Sequence, residues 1–182
     1  MSAPRPPTPP ASAPGQVHAP IDWFAAAWAG VIAGLVFLIT EMLLVWLVMG
    51  QSPWGPPRMM AAIVLGPGVL PPPADFAWAP VLTALVVHLP LSALYGLCIG
   101  GLVQRRDTAR AALIGVAFGL AVYGVNFHLI APLAFPWFME ARHAVSVLGH
   151  ALFGGVAAAV YVLMRQPQAA GSGGPPSETT AP

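Results

Sequence analysis

Four long runs of apolar residues, separated by polar or proline-rich stretches, dominate the pattern along the chain. They cover about residues 24–49, 78–103, 110–131 and 142–164. At ~1.5 Å per helical residue, each run is long enough to cross a hydrocarbon layer of ~30 Å. Because backbone polar groups find no water in lipid, we expect all four runs to be helices. The pattern therefore predicts an all-α membrane protein, with four transmembrane helices in a bundle.

The rest of the chain consists of two tails and one long loop. Residues 1–20 and 166–182 are rich in Pro, Ala and Ser and have no core-forming pattern, so we expect disordered tails around a transmembrane domain at 21–165. The loop at 50–77 is too long for a simple turn. Its stretch 57–66 is expected either as a short amphipathic or re-entrant helix or as a proline-rich loop.

Composition and charge restrict the class of protein. Of the 182 residues, 57% are apolar and 7% are charged, against about 25% charged in an ordinary soluble domain. So few charges cannot cover a water-exposed surface, and a net charge of +1 offers nothing to a nucleic acid. The single cysteine, Cys98, excludes an intrachain disulfide framework. The expected partner is the lipid bilayer, with a homodimer or a larger membrane complex left open.

The arginines predict the orientation of the helices. Five of them lie on the tails and in the short loop that follows the second run, namely Arg5, Arg105, Arg106, Arg110 and Arg165. Only Arg58 and Arg142 lie on the opposite side, where we expect them to anchor in lipid head groups. Because positive residues favour the cytoplasmic side of a membrane, both termini are expected in the cytoplasm. The 50–77 loop is then on the outer side.

The two halves of the chain resemble each other. AGVIAGLV (29–36) is similar to IGVAFGLA (114–121), and SALYG (92–96) is similar to HALFG (150–154). The same offsets pair Glu41 with Asn126 and Ser92 with His150. This correspondence predicts two duplicated helical hairpins. Small residues let membrane helices approach closely, which predicts packing faces at Gly30, Gly34, Gly96, Gly115, Gly119 and Gly154.

Three ionisable side chains on three helices are expected at a similar depth. Glu41, His88 and His150 lie ~14, ~15 and ~12 Å below the outer ends of their runs. Each shares a helix face with small residues, so we expect all three to face the interior of the bundle. They form the candidate centre. The supporting residues expected around it are Ser92, Tyr95, Asn126, His128, His143 and Ser146.

Three functions fit this centre, because an ionisable group at such a depth is costly unless it is paired. Two histidines and a carboxylate could bind a transition metal ion, and haem would need His88 and His150 to face each other. Alternatively, Glu41 could bond to either histidine as interhelical glue in a structural or accessory subunit. A third hypothesis is a proton-coupled carrier of a small solute. The sequence assigns no catalytic residue and favours a protein that is not an enzyme.

Two segments carry a family resemblance. WGPPRMMAAIVLG (54–66) and VHLPLSALYG (87–96) resemble the motif pattern of small four-span bacterial membrane proteins that lack an established activity. The resemblance covers about residues 24–164. It implies the bacterial inner membrane and a compact repeat of helical hairpins, and it assigns no reaction and no functional residue.

Overall fold

The structure, a computed structural model, describes residues 20–165, and this part of the chain is helical without any strand. Its helices are α1 (Trp23–Leu47), α2 (Gly55–Leu65), α3 (Trp78–Val103), α4 (Thr108–Val125), α5 (Ala131–Ala134) and α6 (Ala144–Met164). A π-helical turn, Asn126–Ile130, joins α4 to α5, so that the span continues over Thr108–Ala134. Within residues 20–165, four helical segments are long and apolar enough to cross a membrane, as the hydropathy pattern predicts. This part of the chain is an all-α, four-helix bundle that fits a multi-pass membrane protein.

The spans differ from the predicted runs by at most three residues at either end. α3 has the predicted bounds, whereas the third span is extended by α5 to Ala134. Of the two tails predicted as disordered, 1–20 and 166–182, only Pro20 lies within the described residues. Side-chain caps explain two of the helix starts. The Asp22 carboxylate accepts from the Ala25 amide at 2.9 Å, and Asp107 accepts from the Arg110 amide at 3.0 Å.

We call the end of the bundle that carries residues 48–77 and 135–143 the loop end, and the opposite end the tail end. α2 lies at the loop end and packs against α3, with Pro57, Ala61 and Ala62 buried. The 50–77 loop therefore contains a helix, the first of the two expected alternatives. The Trp137 indole holds α2 from the other half of the chain, since it donates to the Met59 carbonyl at 3.1 Å.

Glycines set the closest contacts between the helices. α1 packs against α3 and α6, and α6 packs against α4, whereas α3 and α4 touch little. A Cβ on Gly30 would overlap the backbone of Ser92 and Gly96, and one on Gly115 would overlap the backbone of Gly154. Within each hairpin, backbone meets backbone at these positions, which leaves no room for a larger residue. Of the six glycines expected to form packing faces, five lie at backbone contacts of this kind, and the sixth, Gly34, lies against the side chain of Ser92.

The tail-end half of the bundle is densely packed. Its core consists of small residues and a few large ones, among them Ala26, Ala29, Ile99, Val103, Ala157, Ala158 and Tyr161. Each of these is at most 1% exposed. The outward faces of the spans carry exposed large apolar residues such as Leu35, Val86, Leu113 and Leu163, a distribution that suits contact with lipid.

The π-helical turn depends on a proline and an arginine. In a π-turn a carbonyl accepts from the amide five residues later, as the Asn126 carbonyl does from Ala131. The Phe127 carbonyl would need the amide of Pro132, which has no N–H. Instead, the Arg142 guanidinium donates to it through Nε at 2.8 Å and also through Nη2. Arg142 thus replaces the backbone donor that the sequence lacks.

Candidate functional site

A cavity of about 420 Å³ lies in the loop-end half of the bundle. Residues from all four spanning helices and from α2 line it. Ser92, Tyr95 and Phe153 lie at its inner end, whereas the exposed Gln51 and Glu140 lie where it meets the surface at the loop end. Most of the lining is apolar and aromatic, with a small number of polar side chains, which is typical of ligand pockets.

Glu41 is a buried carboxylate in the wall of this cavity, with an exposed fraction of 5%. The Ser146 hydroxyl of α6 donates to its Oε1 at 2.6 Å. Its Oε2 has no hydrogen-bond partner among residues 20–165. The carboxylate has room because α6 carries Gly149 opposite it, where a Cβ would stand 2.7 Å from Oε2. A buried polar atom without a partner is costly in any protein and more so within a membrane.

His88 is also buried and lines the cavity from α3. Its Nε2 lies 2.9 Å from the Gly34 carbonyl of α1. Because a carbonyl only accepts, this contact assigns the proton to Nε2 and leaves Nδ1 as an acceptor. The ring stacks on Phe37, with centroids 5.6 Å apart and planes inclined by 29°. Gly34 permits this approach, since a Cβ there would stand 3.4 Å from His88 Nε2 and closer still to Ser92.

His150 has the opposite hydrogen-bonding arrangement. Its Nδ1 donates to the carbonyl of Ser146, one turn earlier in α6, at 2.8 Å, which leaves Nε2 as the acceptor. Three aromatic rings pack edge-on against it, those of Phe37 at 5.0 Å and of Tyr123 and Phe127 at 5.5 Å. The aromatic wall of the cavity therefore carries two imidazoles, each of which has an acceptor nitrogen when the ring is neutral.

The supporting residues divide into five that line the cavity and one that does not. The five are Ser92, Tyr95, Asn126, His143 and Ser146. His128 is exposed and packs against Tyr123, with ring centroids 5.6 Å apart. Depth along the helix places His128 near the others, but helical residues two positions apart, such as Asn126 and His128, do not share a face. The structure therefore does not bring His128 to the site.

The mouth of the cavity carries Glu140 and His143. His143 precedes α6 and its Nδ1 accepts from the Ser146 amide at 3.3 Å, so the imidazole caps the helix. Burial lowers the pKa of His143 from its ordinary value of 6.5. Over the whole lining there are two carboxylates and three histidines but no lysine or arginine.

The predicted ligand set for a metal ion or haem gains no support from this geometry. Within the described part of the chain, no group of three or more His, Cys, Asp or Glu side chains is placed to hold a metal ion. Each of the three predicted ligands has a hydrogen bond within the bundle. Glu41 accepts from the Ser146 hydroxyl, His88 bonds to the Gly34 carbonyl, and His150 bonds to the Ser146 carbonyl. Both imidazoles also pack against Phe37.

No protein-family model matches the chain, and no curated protein or solved structure matches it. The resemblance to small four-span bacterial membrane proteins stays a prediction.

Several residues at the site have roles that the sequence did not reveal. Phe37 contacts both histidines, yet nothing distinguishes it from other apolar residues of α1. The partner of Glu41 is Ser146, whereas we expected His88 or His150.

Arg58 and Arg142 were expected in lipid head groups, but both guanidinium groups donate to backbone carbonyls. Of these roles, only that of Arg142 could have been anticipated from the sequence. Pro132 has no N–H, so a carbonyl of the preceding turn is expected to lack its backbone partner.

Proposed function

We propose that this protein binds a small, largely apolar molecule in the loop-end cavity of a four-span membrane bundle. The observation that carries the proposal is the cavity of about 420 Å³, which holds a buried carboxylate whose Oε2 lacks a partner among the described residues. A packed bundle that used Glu41 only to hold helices together would have no need of this space. A concave, mostly apolar pocket with a few convergent polar groups is the usual form of a binding site.

The cavity is closed on one side, which favours binding over a continuous conduit. Its lining ends at Ser92, Tyr95 and Phe153. Beyond them lies the tail-end core, in which Ala29, Ile99 and other side chains are packed with almost no exposure. A proton-coupled carrier would need a second, alternating opening on that side.

The arginine distribution supports an orientation for this site. Arg105, Arg106 and Arg110 are exposed at the tail end, and the Arg165 guanidinium donates to carbonyls at the end of α3. Since positive residues favour the cytoplasm, we place the tail end and both termini there. Together with the resemblance to bacterial proteins, this orientation supports our proposal that the chain lies in the bacterial inner membrane with its cavity open to the periplasm. A homodimer or a larger complex stays compatible with this placement.

The hydrogen bonds also support two related hairpins. Ser92 and His150 correspond in the predicted duplication, and each donates to the carbonyl four residues earlier, that of His88 or of Ser146. The glycine contacts within the two hairpins correspond in the same way. The halves differ at Glu41, whose counterpart is Asn126, so at this position only the first half contributes a carboxylate to the cavity. We propose that duplication built the scaffold and that divergence at this position made the site.

A second candidate function is structural. Two of the polar contacts join different helices, namely Ser146 to Glu41 and His88 to the Gly34 carbonyl. Such bonds in membrane proteins stabilise by ~0.6 kcal/mol on average and reach almost 2 kcal/mol. They would suit an accessory subunit whose polar cluster fixes the packing of the helices and binds nothing.

Binding of tert-butylbenzene separates these candidates. We would titrate this apolar probe into the protein in phosphatidylcholine nanodiscs by calorimetry and subtract empty nanodiscs. Leu91→Trp fills the cavity from α3, and Leu94→Trp adds the same bulk to the outward face of the same helix. Saturable binding that Leu91→Trp abolishes and Leu94→Trp preserves supports the proposal. Absence of saturable binding to the unsubstituted protein contradicts it and leaves the structural role.

Metal analysis and a visible spectrum of the purified protein test the metal or haem hypothesis separately. A stoichiometric metal ion or a Soret band that is lost in both His88→Ala and His150→Ala would replace the small-molecule proposal with a metal or haem site. Absence of both would contradict the metal or haem hypothesis and leave the small-molecule proposal in place.

A further inference from the structure

The chemistry of the cavity wall restricts the class of ligand more than the shape of the cavity alone does. We propose that the ligand is a monovalent organic cation, an ammonium group with apolar substituents, and that Glu41 is its counter-charge. The inference rests on the proposed function, since it assigns a ligand class to the same cavity.

The charges of the lining favour a cation. Glu41 and Glu140 contribute carboxylates, and the lining has no lysine or arginine. His88 and His150 each use one ring nitrogen to donate to a backbone carbonyl, so in the neutral form the second nitrogen of each ring is an acceptor. An anion would meet a carboxylate and two acceptors in a poorly solvated space. A cation or a hydrogen-bond donor finds a partner at each of these groups.

Glu41 has no cationic partner within the described part of the chain. The Ser146 hydroxyl donates to Oε1, while Oε2 lies against Gly149 and has no hydrogen-bond partner among residues 20–165. The side chain is 95% buried, so bulk water does not satisfy it. A carboxylate away from water stays ionised only when its charge is paired. The lining offers no lysine or arginine, and a ligand cation would complete the pair.

The aromatic wall selects an organic cation over a metal ion. Phe37, one turn before Glu41, packs against both imidazoles, and Tyr95, Phe127 and Phe153 line the same space. Aromatic faces attract ammonium groups and also tolerate their apolar substituents. A hard metal ion needs several oxygen ligands, and within residues 20–165 no group of three acidic, His or Cys side chains is placed to hold one. The volume of about 420 Å³ leaves space for an aryl or branched alkyl group.

Two probes of the same shape isolate the charge. Trimethylphenylammonium and tert-butylbenzene differ by one nitrogen in place of carbon and by one positive charge. We would measure both by calorimetry in phosphatidylcholine nanodiscs, whose lipids carry no net charge, and for the cation we expect an affinity at least about tenfold higher. Glu41→Gln should remove this preference while the affinity for tert-butylbenzene changes less than about threefold.

Two further variants keep the test decisive. Asp75→Asn removes a negative charge from an exposed loop-end residue outside the lining, and it should leave the preference for the cation intact. Glu41→Asp keeps the charge on a shorter side chain and should retain part of the preference, which provides a second reading if Glu41→Gln does not fold.

The outcomes distinguish the two proposals. Equal binding of both probes leaves the cavity as an apolar binding site and overturns the assignment of a cation. A preference for the cation that persists in Glu41→Gln overturns the role of Glu41. Failure of both probes to bind overturns the proposed function itself.

Discussion

Ser146 on α6 donates its hydroxyl to Glu41 on α1, at 2.6 Å, across 105 positions of sequence. This bond ties the second half of the chain to the first at the level of the cavity. It also fixes one carboxylate oxygen and leaves the other facing Gly149 without a partner in the described structure. The same contact therefore contributes to the packing of the bundle and to the form of the candidate site.

Ser146→Ala should destabilise the bundle, because it leaves both oxygens of a buried carboxylate unpaired. We expect the free energy of unfolding to fall by about 1 kcal/mol or more. Ser92→Ala is the matched control, since the Ser92 hydroxyl donates within its own helix to the His88 carbonyl and should change stability by less than about 0.5 kcal/mol. Unfolding by a denaturing detergent measures both variants. Equal losses would show that the bond between α6 and α1 has no special role.

Gly115→Ala should disrupt the contact between α4 and α6. A Cβ there would overlap the Gly154 carbonyl, and backbone cannot move aside as a flexible side chain can. We expect a loss of about 1–3 kcal/mol in the free energy of unfolding. Gly124→Ala, on the same helix, meets nothing within 4 Å and should be neutral or stabilise by up to about 1 kcal/mol. A Gly115→Ala protein as stable as the parent would contradict the observed backbone contact.

The spans could be predicted from the sequence because a bilayer imposes one strong constraint. A run of about 20 apolar residues must be helical to satisfy its own backbone, whatever it packs against. The predicted bounds of α3 are accordingly those observed. The six glycines of the small-residue stripes lie at helix contacts, as do Gly100 and Gly149, which the stripes did not include.

The site was only partly predictable, because depth and direction are separate quantities. Counting residues gives the depth of a side chain along its helix. It predicts a similar depth for Glu41, His88 and His150, and all three line one cavity. It does not give the direction of a side chain around the helix axis, and His128 is exposed and does not line the cavity. Hydrogen-bond partners depend on the packing of neighbouring helices to within an ångström. The choice of Ser146 over a histidine as the partner of Glu41 could not be read from spacing.

His143 should make the stability of the bundle depend on pH. Burial lowers its pKa from the ordinary 6.5, so the unfolded chain binds its proton more tightly than the folded chain does. The contribution of His143 is therefore complete above about pH 6.5 and is lost as the pH falls towards its folded pKa. Protonation also removes the acceptor that caps α6 and places a positive charge at a helix N-terminus.

His143→Asn is the matched variant, because asparagine caps helices well and does not titrate. Between pH 7.5 and pH 5 the parent should lose more thermal stability than His143→Asn, measured by the unfolding midpoint in detergent. Parallel curves for the two proteins would contradict the role of His143, since any other titrating group contributes equally to both.

Arg142→Met should destabilise the π-helical turn that shapes one wall of the cavity. The Phe127 carbonyl has no backbone donor there, because Pro132 occupies the position of the missing amide. Losing both guanidinium donors leaves that carbonyl buried and unpaired, at a cost of about 1–3 kcal/mol in the free energy of unfolding. Asn126 and Phe127 line the cavity, so the affinity for tert-butylbenzene should fall as well.

Arg105→Met, at an exposed position of the tail end, removes the same charge and should alter neither the stability nor the affinity by much. Unchanged stability and affinity in Arg142→Met would show that the turn holds its form without the arginine.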